Sequence, residues 1–206
     1  MSDKLDLKKS LASLYNPPRT FGLVEVPPFN FLMIDGKGDP RTAPAYGESV
    51  EALYAAAYTL KFKVKKALGI DYAVMPLEGL WWSEPIEAFS LDRRDLWQWT
   101  MMILQPELVT PDLVQSALSE TQKKKQLPRL DQIRFESYHE GLSVQIMHLG
   151  PYVDEAPTLH RLHHEYIPAQ GCEMVGKHHE IYLNDPNRTE PAKLKTVLRQ
   201  PVRRKG

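Results

Sequence analysis

The chain has a single cysteine, Cys172, in 206 residues. An internal disulfide is therefore excluded, and a reducing, cytoplasmic setting is expected. Its neighbours, Gln170-Gly171-Cys172-Glu173, offer no base or cation to activate the thiol, so a structural role is the plainer reading. Net charge is also missing, since 26 Lys+Arg balance 26 Asp+Glu. A nucleic-acid binder usually carries a basic face, so no nucleic-acid partner is expected. The dense basic clusters, Lys123-Lys124-Lys125 and Arg203-Arg204-Lys205, read as solvated surface and a frayed terminus. No run approaches the roughly 20 apolar residues of a membrane span, and the charged start Met1-Ser2-Asp3-Lys4 lacks a signal-peptide core. No membrane partner is expected. Several catalytic signatures are absent as well. Gly36-Lys37-Gly38 is not followed by Gly-Lys-Ser/Thr, and there is no Gly-x-Ser-x-Gly elbow. His160 and His164 are i, i+4 on a helix but lack the glutamate of a His-Glu-x-x-His site. No metal and no cofactor are expected.

What the chain does contain is helical and strand periodicity in alternation. A short amphipathic helix is expected over Leu5–Leu14, ended by Pro17-Pro18. Leu23–Val26 and Phe29–Asp35 read as strands. Val50, Leu53, Tyr54, Ala57 and Tyr58 form one apolar stripe of a helix over Ala45–Leu68, with Gly69 as its terminator. Tyr72–Leu77 is strand-like and leads to Glu78, and Trp97–Leu104 closes the half before Pro106. Thr110-Pro111-Asp112 caps and opens a helix running to about Lys125. Strands are then expected at Arg134–Tyr138 and Leu142–Leu149, a helix at Pro157–Ala169, and strands at Val175–Leu183 and Leu194–Gln200. Strand, strand, helix, strand, strand occurs twice, which points to an α+β fold with mainly antiparallel sheet. The pattern sets one domain with a first module at about 20–106, a linker helix at about 110–126 and a second module at about 132–202.

The halves also match residue against residue. Met33-Ile34-Asp35-Gly36 aligns with Met147-His148-Leu149-Gly150, and both last strands end in Gln-Pro, at Gln105-Pro106 and Gln200-Pro201. Each half has a glutamate within a strand, Glu78 in Leu77-Glu78-Gly79-Leu80-Trp81-Trp82 and Glu180 in His178-His179-Glu180-Ile181-Tyr182, which the alignment places at matching positions. Glu180, Tyr182 and His178 leave the same face of their strand, as do Glu78, Leu80 and Trp82 of theirs. A carboxylate beside a phenol is a workable acid–base pair, although a solvated strand would carry the same residues. Adjacent tryptophans mark either a binding surface or a core, and Trp82 is in register with the glutamate.

These stretches resemble the gyrase-inhibitor-like (GyrI-like) small-molecule-binding domain, in particular its stand-alone bacterial branch. The resemblance is carried by Asp35-Gly36-Lys37-Gly38-Asp39-Pro40, Glu51-Ala52-Leu53-Tyr54, Met75-Pro76-Leu77-Glu78-Gly79-Leu80-Trp81-Trp82, His148-Leu149-Gly150-Pro151-Tyr152, His178–Leu183 and Lys195–Pro201. It implies tandem strand-helix-strand-strand modules about a pseudo-twofold axis, with a ligand cleft between the halves. It implies a small aromatic or cyclopropanoid ligand, and hydrolysis of the strained cyclopropane of DNA-alkylating compounds as a detoxifying activity. Carried over by position, Glu180 and Tyr182 would be catalytic, as general base and hydrogen-bond donor. Trp82, Trp81, Tyr152, Tyr54 and Tyr58 would wall the ligand, with Glu78, His148 and Trp99 also contributing. The alternative is a non-catalytic module that binds or senses cationic aromatic drugs.

Overall fold

The computed structural model describes residues 3–84 and 91–206. In chain order it begins with β1 (Asp3–Leu5), α1 (Leu7–Ser10), α2 (Ala12–Tyr15), β2 (Gly22–Val26) and β3 (Phe29–Lys37). There follow α3 (Pro44–Leu68), β4 (Ile70–Tyr72), β5 (Leu77–Ser83), β6 (Trp97–Gln105) and α4 (Pro111–Lys125). The remainder is β7 (Arg134–Tyr138), β8 (Gly141–Leu149), α5 (Ala156–Arg161), a π turn (Leu162–Tyr166), α6 (Ile167–Ala169), β9 (Cys172–Met174), β10 (His178–Tyr182) and β11 (Lys195–Arg204). Two compact units emerge. One takes in the start of the chain to Ser10 and Phe29–Tyr138, the other Leu11–Pro28 and His139–Gly206.

The first unit is built on the antiparallel run β5-β6-β3-β7. Its helix α3 forms because Ala52, Leu53, Ala56, Ala57, Leu60 and Val64 recur at helical spacing, and all are buried. Gly69, at φ +71°, supplies the left-handed C-cap, its N–H donating to Lys65 O. Thr110 caps α4 and Pro111 takes its first position, as the sequence predicts. The Thr121 hydroxyl, 3.0 Å from that of Thr59, ties α4 to α3.

The second unit is the antiparallel run β2-β8-β11-β10, with β9 paired to the far end of β11. Its helical segment covers one face through Leu162 and Ile167, which pack with Val144, Cys172 and Val202.

Several expectations change; the Val175–Leu183 strand, for one, begins only at His178. The Leu5–Leu14 helix is split among β1, α1 and α2, because Asp3–Leu5 pairs in parallel with Ile70–Tyr72. That pairing also uses up the start of the expected Tyr72–Leu77 strand, and β5 begins afresh at Leu77. In β11 the chain does not stop at Pro201 but continues to Arg204. A proline removes one donor only, and Pro201 O still accepts from Val175 N at 2.9 Å.

Candidate functional site

Strand β10 sends alternate side chains to opposite faces. Glu180 pairs with Leu198 and Tyr182 with Thr196 on β11, and those pair with Ile146 and His148 on β8. Directly paired residues share a face, so Glu180, Tyr182, Thr196 and His148 lie on one side. It is the side covered by the helical segment, since Val144, two residues before Ile146, packs on Leu162 and Ile167. The His163 ring, on the π turn, stands edge-on to that of His178 at 6.2 Å.

On this face the Tyr182 hydroxyl donates to Glu180 Oε2 at 2.8 Å. The other carboxylate oxygen, Oε1, is 3.3 Å from Nε2 of His178. That contact falls outside hydrogen-bond geometry, and both His178 nitrogens lack a hydrogen-bond partner. The Glu180 side chain keeps 17% exposure against 5% for His178, so the carboxylate is the reachable group. Tyr152 presents its ring edge-on to Tyr182 at 5.7 Å and is itself exposed. His148 is buried, with Nε2 unpartnered.

Two further residues belong to this cluster, Glu155 and His163. Glu155 is buried, and its Oε1 completes no hydrogen bond. Burial first, and the Glu180 charge second, push its carboxyl up to about 9; the Thr196 hydroxyl opposes the shift without offsetting it. Burial thus favours the protonated form of Glu155 beside Glu180. His163 is held down to about 4 by burial and then by the neighbouring His178, His164 and His160. The reachable carboxylate thus has a carboxylic acid and a neutral imidazole for neighbours. A carboxyl raised by burial next to a reachable one is a setting suited to acid–base work.

The first unit has the same slots with other contents. In each unit a glycine N–H marks the level: Gly38 N donates to Trp97 O at 2.7 Å, and Gly150 N to Leu194 O at 2.9 Å. Two residues on stand Trp99, paired with Gly36 and Trp81, and Thr196, paired with His148 and Tyr182. Gly79, not Glu78, is thus the counterpart of Glu180, and Trp81 that of Tyr182. The expected match of Glu78 to Glu180 is off by one residue, which in a strand means the opposite face.

The sequence profile of the GyrI-like small molecule binding domain matches residues 20–203. The chain belongs to the GyrI-like family. Among solved structures, an uncharacterized conserved protein from Listeria innocua is 39% identical with a TM-score of 0.90, over 97% of this chain and 100% of that one. A hydrolase from Listeria innocua is 37% identical with a TM-score of 0.84, again over 97% and 100%. A further Listeria innocua hydrolase is 39% identical with a TM-score of 0.87, over 98% and 100%. No match was found among curated proteins. Among the described residues no helix is long and apolar enough to cross a membrane.

In this GyrI-like protein the residues expected at the ligand fall into four places. Glu180, Tyr182, Tyr152 and His148 come together in the second unit. Trp81 and Trp99 are core side chains of the first unit, where the Tyr46 ring lies 6.2 Å from Trp81 and 5.4 Å from Trp99. Since Tyr46 is on α3, that helix covers the Trp81 face, and Glu78 and Trp82 leave the other one. Glu78 is buried there and Trp82 half-buried. Tyr54 and Tyr58, with rings 6.4 Å apart, line a groove of about 760 Å³ between α3 and α4, together with Phe62, Lys63 and Glu120.

The far face of β10 does different work. Glu140 accepts from His179 Nδ1 and from Arg199 Nη1, both at 3.0 Å. Arg199 also donates to Gln145 Oε1 and to Leu14 O. Burial resists ionisation of Glu140, but His179 and Arg199 outweigh it and bring its carboxyl to about 2. All three side chains are nearly inaccessible, so this network holds the strands rather than a ligand.

Proposed function

We propose that this GyrI-like protein hydrolyses the cyclopropane ring of cyclopropanoid DNA-alkylating compounds, and so detoxifies them. The observation that carries the reading is the hydrogen-bonded Glu180–Tyr182 pair, whose carboxylate is partly open while the groups around it are buried. The hydrolase descriptions of two relatives at 37% and 39% identity support hydrolysis as the class of reaction.

In such a ligand the cyclopropane is fused to a dienone, so strain relief and aromatisation drive opening. Glu180 takes a proton from water as the water oxygen bonds to the unhindered ring carbon. The carbon–carbon bond breaks, and its electron pair passes through the dienone to the carbonyl oxygen, which becomes a phenolate. The Tyr182 hydroxyl turns from Glu180 to that oxygen and stabilises the growing charge. Tyr152 is the ring proposed to stack on the flat ligand, contributing roughly 0.5–1.5 kcal/mol beyond area burial. General base catalysis typically supplies about 10²–10⁴-fold, enough for an electrophile that is already reactive.

Glu180→Gln keeps the size and loses the base. Ring opening is expected to fall by roughly 10²-fold or more in that variant, with its circular dichroism unchanged. Turnover at the wild-type rate would remove Glu180 from the mechanism. A second reading, capture of a cationic aromatic drug without chemistry, draws on the same carboxylate beside the Tyr152 ring. Mass analysis of a recovered cyclopropanoid separates the two: a water adduct supports the enzyme, an intact ligand the binder.

A further inference from the structure

Three buried ring nitrogens beside Glu180 have no hydrogen-bond partner: Nδ1 and Nε2 of His178 and Nε2 of His163. An unpaired buried polar atom is destabilising, so three in one place call for an explanation. They lie along a row of imidazoles. Glu180 Oε1 is 3.3 Å from His178 Nε2, the His178 and His163 rings are 6.2 Å apart, and the His163 and His164 rings are 6.4 Å apart. His160 stacks at 4.7 Å from His164, and both are exposed. The row therefore starts at a mostly buried carboxylate and ends in solvent. The π turn makes it possible: its widened backbone aims His163 inward at β10 and leaves His164 on the surface. A metal does not account for the cluster, since among the described residues no three His, Cys, Asp or Glu side chains are placed to hold one.

We propose that His178, His163 and His164 form a proton exit from Glu180 to the protein surface. The inference rests on Glu180 being the base of the reaction above. Each ring opening leaves Glu180 carrying the proton of the attacking water, and the ligand's electron pair on a phenolate oxygen. Glu180 must lose that proton before the next turnover. Its Oε2 faces Tyr182 and the water, and a bound ligand covers the remaining opening. Oε1 faces His178. The proton passes to His178 Nε2, from the other nitrogen of that ring to His163, and from there to His164 and solvent. The product phenolate regains one proton from solvent on release, so the balance closes. Rings about 6 Å apart need a ring rotation or a bridging water at each step. Such motions take roughly nanoseconds to microseconds, far faster than typical turnover. His163 is kept neutral by its burial and its histidine neighbours, so a proton that reaches it is passed on rather than held.

The test is steady-state opening of a synthetic spirocyclopropyl dienone by the full-length protein, with and without millimolar imidazole in the buffer. His163→Ala is expected to lower kcat by about tenfold with KM unchanged, less than the roughly 10²–10⁴-fold carried by the base itself. Imidazole is expected to restore it, as an outside carrier replacing the missing ring. His164→Gln is at an exposed position that folding does not depend on, and is expected to show the same rescuable loss. Glu180→Gln is not rescued by imidazole, because no carrier replaces the base. Full kcat in both histidine variants, or a loss that imidazole leaves unchanged, overturns the exit while Glu180 stays the base. A wild-type protein that opens no ring overturns both.

Discussion

Gly79 and Trp81 occupy the strand positions that Glu180 and Tyr182 occupy in the other unit, and the exchange is legible atom by atom. A Cβ added at Gly36 would land on the Trp99 ring, and one at Gly79 would come within 2.6 Å of Met101 Cε and 2.7 Å of Trp81 Nε1. The glycines are there so that indoles can lie flat on the sheet; in the second unit His148 and Glu180 replace the glycines, and Thr196 and Tyr182 replace the indoles. One set of slots becomes core, the other becomes chemistry. Gly79→Ala therefore overpacks a filled interior, and is expected to destabilise by about 1–3 kcal/mol. Urea unfolding would show a lower midpoint at unchanged slope. An unchanged midpoint would mean that Trp81 and Met101 yield freely, and that the filled-slot account is wrong.

At the level of elements, β10 is a strand with two occupations. Its Glu180 face keeps unpaired polar atoms, while its His179 face is satisfied through Glu140, Arg199 and Gln145. Glu140→Gln leaves Arg199 and His179 buried without their counter-charge, and breaking such a cluster costs about 3–5 kcal/mol. A drop of that size in unfolding free energy at neutral pH is expected, and a near-neutral change would show that the pair is solvated in practice. The sequence announces part of this. The apolar stripe of α3 and the Thr110-Pro111 start of α4 are local signals, and both elements appear where periodicity and capping put them. Alternation along His178–Tyr182 also sorts Glu180 from His179 correctly. Register is not local. Glu78 looks like the partner of Glu180 because the motifs align by eye, whereas the ladder β5–β6 shifts the match by one and turns Glu78 to the other face. Glu155 and His163 escaped for a similar reason. His163 reaches the site on a π turn, and a period of 3.6 carries no mark of the extra residue; Glu155 stands just before α5, where no period applies. Pro201 misled in the opposite sense, since a strand survives the loss of one donor.

For the whole molecule, two buried carboxyls set opposite limits on pH stability. Glu140, ordinarily near 4.5, is brought to about 2 in the fold. Its contribution is complete above about 4.5 and is lost as the pH falls through about 2. Glu155 is raised from 4.5 to about 9. Its contribution is complete below about 4.5 and is lost as the pH rises through about 9, because the unfolded chain gives up a proton that the folded one retains. Across that window stability falls steadily as the pH rises. Glu155→Gln cannot titrate. Its stability relative to wild type is expected to climb between about pH 5 and pH 9, as read by urea unfolding at several pH values. Glu180 is the second cause of the Glu155 shift, so Glu180→Gln is expected to end the same fall at a lower pH. Parallel curves for wild type and Glu155→Gln would show that Glu155 ionises freely in the fold. Glu180 would then stand without its protonated neighbour, and a stability measurement on the whole chain would have corrected the electrostatics of the site.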